Sequence, residues 1–493
     1  MRNRWCFLLP LIFLTGCAAP QVQTSLDADP SCRQLFHALD QAVDRARVRD
    51  QGPLRVPGFP YLRMDRFLAS FSDEVDEPEG FDAWTQRLGR LDREARRLEI
   101  ANLPDSQRSQ LQKTSFDGAD LISALDICRS QLIESELAIE ANRRLLREQA
   151  EFPDDYVPAW RVIGLYPVTA LFVKAGVANW HDEVEETYAR PLEELPTYGT
   201  LRSWQPLAAP RLNQDEVAAL LRDSADNSLG IPEPDAKQRD ALFQTFAPQW
   251  RIDTADTNDL PGTPYFSDGV ASVNTGHPAV FRRLSHTRFG DDVLLQLNYI
   301  VWFKARPPAG SFDIYAGPID GINFRVTLDA GGKPLLFDTI HNCGCYHKFF
   351  PVAPLVADEA ATGFWTEAPL VPDRIEQLGQ IPVLHVASRT HYVDRLSFTS
   401  QPEGERYHWD EYHRLRSLLL ASGDRRSLFD DHGIIEESAR PERVLLWPMG
   451  IRSPGAMRQW GRHPTAFVGR RHYDDPYLIE RLFDIAPNNG ATP

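Results

Sequence analysis

The 493-residue chain has no apolar run of the roughly 20 residues that a membrane-crossing helix needs, which sets aside a polytopic membrane protein. It is short of basic charge: 53 Lys and Arg against 69 Asp and Glu give a formal charge of −16. A surface that acidic repels phosphate backbones unless its cations are clustered, so nucleic acid is not an expected partner. The sequence contains no internal repeat, no low-complexity tract, no H-E-x-x-H, no phosphate-binding loop and no dinucleotide fingerprint. Cysteine is scarce, at six. The hydrophobic fraction of 42% is that of a folded chain, with length for roughly two to four cores.

What is present begins with an address. Arg2 and Arg4 precede an apolar stretch from Trp5 to Phe13, and Leu14-Thr15-Gly16-Cys17 follows at once. Length and flanks are those of a secretion signal. The run Leu14-Thr15-Gly16-Cys17 resembles the lipobox of bacterial lipoproteins, a resemblance confined to the N-terminus and concerned with export alone. It implies cleavage before Cys17 and acylation of that cysteine. With Ala18 rather than Asp next, it also implies sorting to the periplasmic face of an outer membrane, the bilayer being a partner through the anchor. Cleavage removes Cys6 and makes the chain two charges more negative. Cys32, Cys128, Cys343 and Cys345 then remain free to pair in an oxidising compartment. Of the possible pairings, Cys32–Cys128 is favoured because it leaves the close pair Cys343 and Cys345 together.

Beyond a polar tether over 18–31, residues 32–151 carry helical spacing: Leu35, Leu39, Val43 and Ala46 share a face, and Leu121, Leu125, Cys128 and Leu132 share another. The five Arg between Gln86 and Leu98 read as a solvated face. A transition region, 152–251, contains the most apolar stretch outside the signal, Val162 to Val177. Pro167 and Lys174 interrupt it, and it reads as a buried segment, a membrane-surface contact being the alternative. From 252 to 493 the signals turn to β-structure. Ile322 to Leu328 alternates, Asp329-Ala330-Gly331-Gly332-Lys333 has turn chemistry, and Pro334 to Ile340 returns as a second strand. Val293 to Phe303 and Pro382 to Thr399 are further strand-like runs, while Tyr407 to Leu420 and Pro476 to Phe483 look helical. The fold class expected is α+β, a helical N-terminal domain followed by a larger domain with a mostly antiparallel sheet.

The chemistry concentrates at the end of the expected hairpin, His341-Asn342-Cys343-Gly344-Cys345-Tyr346-His347. Two imidazoles and two thiols at every second position point to a transition metal, zinc, copper or iron. On a flat strand the four would spread over about 20 Å, so one ion requires the run to fold, and Gly344 is the residue that permits it. His286, His385 and His391 are possible completing ligands, and Asp338 a partner that would orient an imidazole. Two alternatives stay open: a Cys343/Cys345 thiol–disulfide couple, or two inert cysteines at a hairpin end in a non-enzymatic envelope protein. Ile451 to Tyr473 holds five Arg and no acid; Arg462, Arg470 and Arg471 are candidates to bind an anionic small molecule or envelope component. If the chain is an enzyme, the metal would act as Lewis acid or redox centre.

Overall fold

The computed structural model describes residues 22–23, 30–114 and 120–486; Cys17 and most of the 18–31 tether lie outside them. The chain is α+β: helices dominate the N-terminal part, and largely antiparallel sheets form the larger C-terminal part.

Helices Pro30–Ala46, Pro78–Asn102, Asp105–Thr114, Leu121–Glu136 and Glu140–Glu148 bury Leu35, Leu39, Trp84, Leu88, Leu125 and Leu132 in one core. Cys32 and Cys128 are disulfide-bonded across it, 96 residues apart in sequence. Two features depart from the expected all-helical, solvated unit. A hairpin, Leu54–Val56 with Phe59–Met64, is inserted, every residue of its second strand buried. The Arg-rich helix also turns part of its charge inward: Arg96, Asp92 and Glu99 are buried, and Arg63 reaches Glu99 (2.7 Å) and Asp92 (3.3 Å). Charges at helical spacing look alike whether they face water or one another, so spacing alone does not separate the two cases.

The main sheet runs in the order Lys348–Pro351, Pro334–His341, Gly317–Leu328, Asp292–Arg306, the last also pairing with Ala279–Phe289 and Pro261–Ser267. Side chains alternate across a strand, and both faces of this sheet are covered. Leu295, Leu297, Tyr299, Val301 and Phe303 join Phe324, Val326 and Phe337 against the second sheet through Trp250, Ile252, Leu384 and Leu396. The opposite face sends Ile300, Trp302, Ile319 and Ile340 against C-terminal loops through Tyr412, Met457, Trp460 and Tyr473. The second sheet has five strands, among them Thr200–Gln205 and Gln249–Thr254, so part of it is contributed from the expected transition region. The expected helix over Tyr407–Leu420 is instead a short strand, His408–Glu411, and a single turn of 3-10 helix, because Tyr407, Tyr412 and Leu415 are drawn into sheet-side cores. Residues 342–347 form the turn between the Pro334–His341 and Lys348–Pro351 strands, where the sheet meets the Tyr166–Ala189 helix.

Candidate functional site

The turn is held in a conformation few side chains adopt. Gly344 has φ +93° and Tyr346 φ +61°. The amide of Gly344 donates to the His341 carbonyl (2.8 Å) and that of His341 to the Cys345 carbonyl (3.0 Å), closing the loop. His391, whose carbonyl accepts from His341, and Ser453, whose carbonyl accepts from Arg458, also have positive φ. Such residues cost on the order of 1–3 kcal/mol apiece, and strain collected in one place is usual where side chains are held for chemistry.

Folding the run separates the four candidate metal ligands. His341 turns to Asp320, Nδ1 lying 3.5 Å from Oδ1, and its Nε2 donates to the carbonyl of His391 (3.2 Å). His347 turns the other way, Nε2 lying 3.5 Å from Asp338, which is itself paired with Arg325 (2.9 Å). Cys343 and Cys345 point to each other: the Cys345 amide donates to the Cys343 sulfur (3.4 Å), and neither thiol is in a disulfide. Among the described residues no group of three or more His, Cys, Asp and Glu side chains is arranged to hold a metal ion. A single ion on all four side chains is thus not the arrangement found: alternation on a strand would leave these every-second positions on one face, and it is the turn at Gly344 and Tyr346 that sends the two imidazoles to different carboxylates.

Of the completing histidines, only His391 comes near. Its ring lies between Asp320 (2.8 Å) and Asp259 (3.3 Å) and stacks on Phe303 at 4.0 Å. Burial alone would depress His391, but its hydrogen bonds to the two carboxylates outweigh it and raise its pKa. Burial would raise Asp320, and His341 and His391 overturn that too, holding its carboxyl well below the usual range. His286 instead donates to the Pro232 carbonyl (2.8 Å), and His385 sits on the second sheet 2.8 Å from the Ser397 hydroxyl. Arg462 pairs with Asp155 (2.9 Å) and Arg470 with Asp154 (2.7 Å), so both serve the fold's own carboxylates rather than an open anion site. Arg471 is nearly buried, its Nε donating to the Thr465 hydroxyl (3.2 Å).

In front of the thiols lies a cavity of about 620 Å³. Its floor is the turn, with Cys343, Cys345 and His347; its far wall is the Tyr166–Ala189 helix, through Phe172, Gly176, Trp180 and His181. Glu183, Glu367, Glu442 and Arg471 are the charged groups along its sides. Burial pushes Glu442 up to about 7, so its carboxyl holds a proton far longer than usual. The same cause takes His347 down to about 4 and keeps it neutral. The Cys345 thiol is held well above its ordinary value by its hydrogen bond to Cys343 and by burial.

The cation beside the thiols is one that sequence reasoning missed. Arg458 is 4% exposed, donates from Nε to the Cys343 carbonyl (3.1 Å), and makes no ion pair among the described residues. Its amide donates to the Asn342 carbonyl (2.8 Å), fixing the turn from outside. Burial lowers its pKa, and Asp155, Cys343 and Cys345 are the groups whose negative charge would offset that. Asp320 was equally silent in the sequence, being one of several polar residues, with Asn323, Arg325 and Thr327, along the Gly317–Leu328 strand. No protein-family model, no curated protein and no solved structure matches this chain.

Proposed function

We propose that the chain is an envelope thiol protein. Its cavity admits an apolar or amphipathic segment bearing a disulfide or thiol, and Cys343 and Cys345 exchange with that sulfur. The observation that carries this reading is the pair Cys343 and Cys345, unbridged, hydrogen-bonded to each other and set on a cavity floor, with the buried Arg458 held behind them by the carbonyls of Cys343, Arg452 and Ser453. The thiolate is the nucleophile of sulfur exchange, and two adjacent thiols let a mixed disulfide resolve within the chain. Cys343, which accepts the Cys345 amide hydrogen, is the attacking sulfur; Cys345 is the resolving one.

In the reducing direction, the Cys343 thiolate attacks one sulfur of the bound disulfide. The S–S bond breaks, a mixed disulfide forms, and one substrate thiolate leaves and takes a proton. Cys345 gives its proton to Glu442 or to water and attacks the Cys343 sulfur, closing a Cys343–Cys345 bond and releasing the second substrate thiolate. Two electrons pass from the dithiol to the substrate. Started from the closed bond, the same steps in reverse oxidise a substrate dithiol.

A second reading is favoured by the convergence of two sulfurs and nothing harder: a soft ion such as Cu(I), for which two thiolates suffice. Both readings are tested on the full chain by counting free thiols, analysing metal content, and following exchange with a small aromatic disulfide. Stoichiometric exchange ending in a Cys343–Cys345 bond, and lost in Cys343→Ser, supports the redox reading. About one copper per chain, lost in Cys343→Ser/Cys345→Ser, supports the metal reading instead. Thiols that stay inert in the native protein, with no metal bound, overturn both.

A further inference from the structure

The most apolar stretch outside the signal is exposed, not buried. Val162, Ile163, Leu165, Val168, Leu171 and Phe172 face solvent, Phe172 at 76% and Val162 at 75%. Val162 and Ile163 end the Pro158–Ile163 helix, Leu165 immediately precedes the Tyr166–Ala189 helix, and the others lie on the latter; both helices rest on residues 447–451. Arg161 donates to the Met449 carbonyl (2.8 Å), the Val157 amide donates to Gly450 (2.7 Å), and a Cβ on Gly164 would strike Pro448. Exposed Val444 and Leu445 directly precede that segment, and Leu445 shares the cavity lining with Phe172. The Lys174 ammonium donates to the Phe364 carbonyl (3.0 Å), which adds exposed Phe364 and Trp365 to the same face. Large apolar side chains scattered singly need no account, but a continuous group of them marks a surface that something covers.

Charge indicates what covers it. Neither 156–181 nor 443–473 contains an Asp or Glu, in a chain that has 69. Arg443 and Arg452 are exposed at the edge of the face, pair with no carboxylate among the described residues, and Arg452 lies 5.5 Å above the Trp160 ring. An apolar protein partner would use the patch and leave these cations idle. A lipid surface uses both: acyl chains and headgroup carbonyls for the aliphatic and aromatic groups, phosphates for the guanidinium groups. No helix among the described residues is long and apolar enough to cross a membrane, so these elements would lie along an interface.

We propose that this face, centred on Leu165, Phe172 and Leu445, docks on a bilayer containing anionic phospholipid, with Arg443 and Arg452 at the phosphates. Phe172 and Leu445 also line the cavity, so its mouth opens toward the lipid and an amphipathic ligand can enter from it. The docking rests neither on the sulfur chemistry above nor on acylation of Cys17.

The test uses the full chain mixed with vesicles of phosphatidylethanolamine and a minor share of phosphatidylglycerol, part of the lipid brominated along its acyl chains to quench nearby tryptophan. Quenching is expected in the wild type and should fall roughly twofold or more in Trp160→Phe/Trp365→Phe, which leaves the face apolar and the fold undisturbed. It should also weaken in Arg443→Glu/Arg452→Glu and when phosphatidylglycerol is omitted. Equal quenching in the wild type and the tryptophan double variant overturns the proposal, because a chain tethered by its N-terminus with this face turned away gives that result. Absence of quenching overturns it as well and points to a protein occupant. Thiol exchange measured in the same samples reports on the cavity chemistry separately, since its failure leaves the docking result standing.

Discussion

Gly344 lies against Pro464 so closely that a Cβ on it would collide with the Pro464 carbonyl oxygen, and its φ of +93° is one that alanine avoids. The position therefore fixes how the two flanking thiols leave the backbone. Gly344→Ala should cost about 2 kcal/mol or more, the left-handed penalty plus the displacement of 464. It should also change the rate at which Cys343 and Cys345 react with a thiol reagent. Urea unfolding and a thiol titration check the two parts separately, and an unchanged thiol rate in a folded variant would mean the turn does not set the sulfur geometry.

The Cys32–Cys128 bond closes a loop of 96 residues within the helical core. Cross-links of that span contribute about 2–5 kcal/mol, mainly by restricting the unfolded chain. Cys32→Ser/Cys128→Ser is expected to lower the urea midpoint by a corresponding amount, whereas Cys343→Ser/Cys345→Ser should move it little. The four cysteines then divide by role, one pair serving stability and the other chemistry. Equal losses from both double variants would remove that distinction.

Asp320 joins His341 and His391 through its two oxygens, with Asp259 beyond. Removing one partner from a buried charged network leaves the others uncompensated, which typically costs about 3–5 kcal/mol. Asp320→Asn should therefore destabilise strongly and flatten the dependence of stability on pH. The sign follows from His391. Its pKa is raised in the folded chain, so its contribution is full below the unfolded value and is lost as pH rises through the folded one. Melting temperatures of the wild type and Asp320→Asn across neutral to alkaline pH check this; parallel curves would count against a charged His391.

The sheet is legible in the sequence because its strands alternate or run apolar over many residues: Val293 to Phe303 falls within Asp292–Arg306, and Pro334 to Ile340 matches Pro334–His341 almost residue for residue. The neighbourhood of the two close cysteines is legible too, since both come from one turn. What a linear pattern does not carry is the direction a side chain takes once that turn closes. His341 and His347 are six apart, yet face different carboxylates; Asp320 reaches His341, Arg325 reaches Asp338 and Arg458 reaches the Cys343 carbonyl, each from another strand or loop. The exposure of Val162 to Phe172 is invisible for a related reason. Apolar composition tells that a segment prefers to leave water, and only the fold tells whether the chain itself provides the cover.

Glu442 faces the same cavity as the thiols, and burial pushes its pKa up to about 7. The fold favours its protonated form, so its contribution is complete below the ordinary glutamate range and disappears as pH rises through 7; a shift of that size corresponds to roughly 3 kcal/mol. Glu442→Gln should therefore be more stable than the wild type above pH 7 and about equal to it at pH 5. A second consequence lies in the thiols. The negative charge that appears on Glu442 near pH 7 opposes ionisation of Cys345, as its contribution to raising that thiol indicates. The alkylation rate of the dithiol should accordingly climb less steeply between pH 6 and 8 in the wild type than in Glu442→Gln. If the two profiles coincide while the stability curves differ, Glu442 is buried for packing alone and the resolving cysteine gives its proton to water.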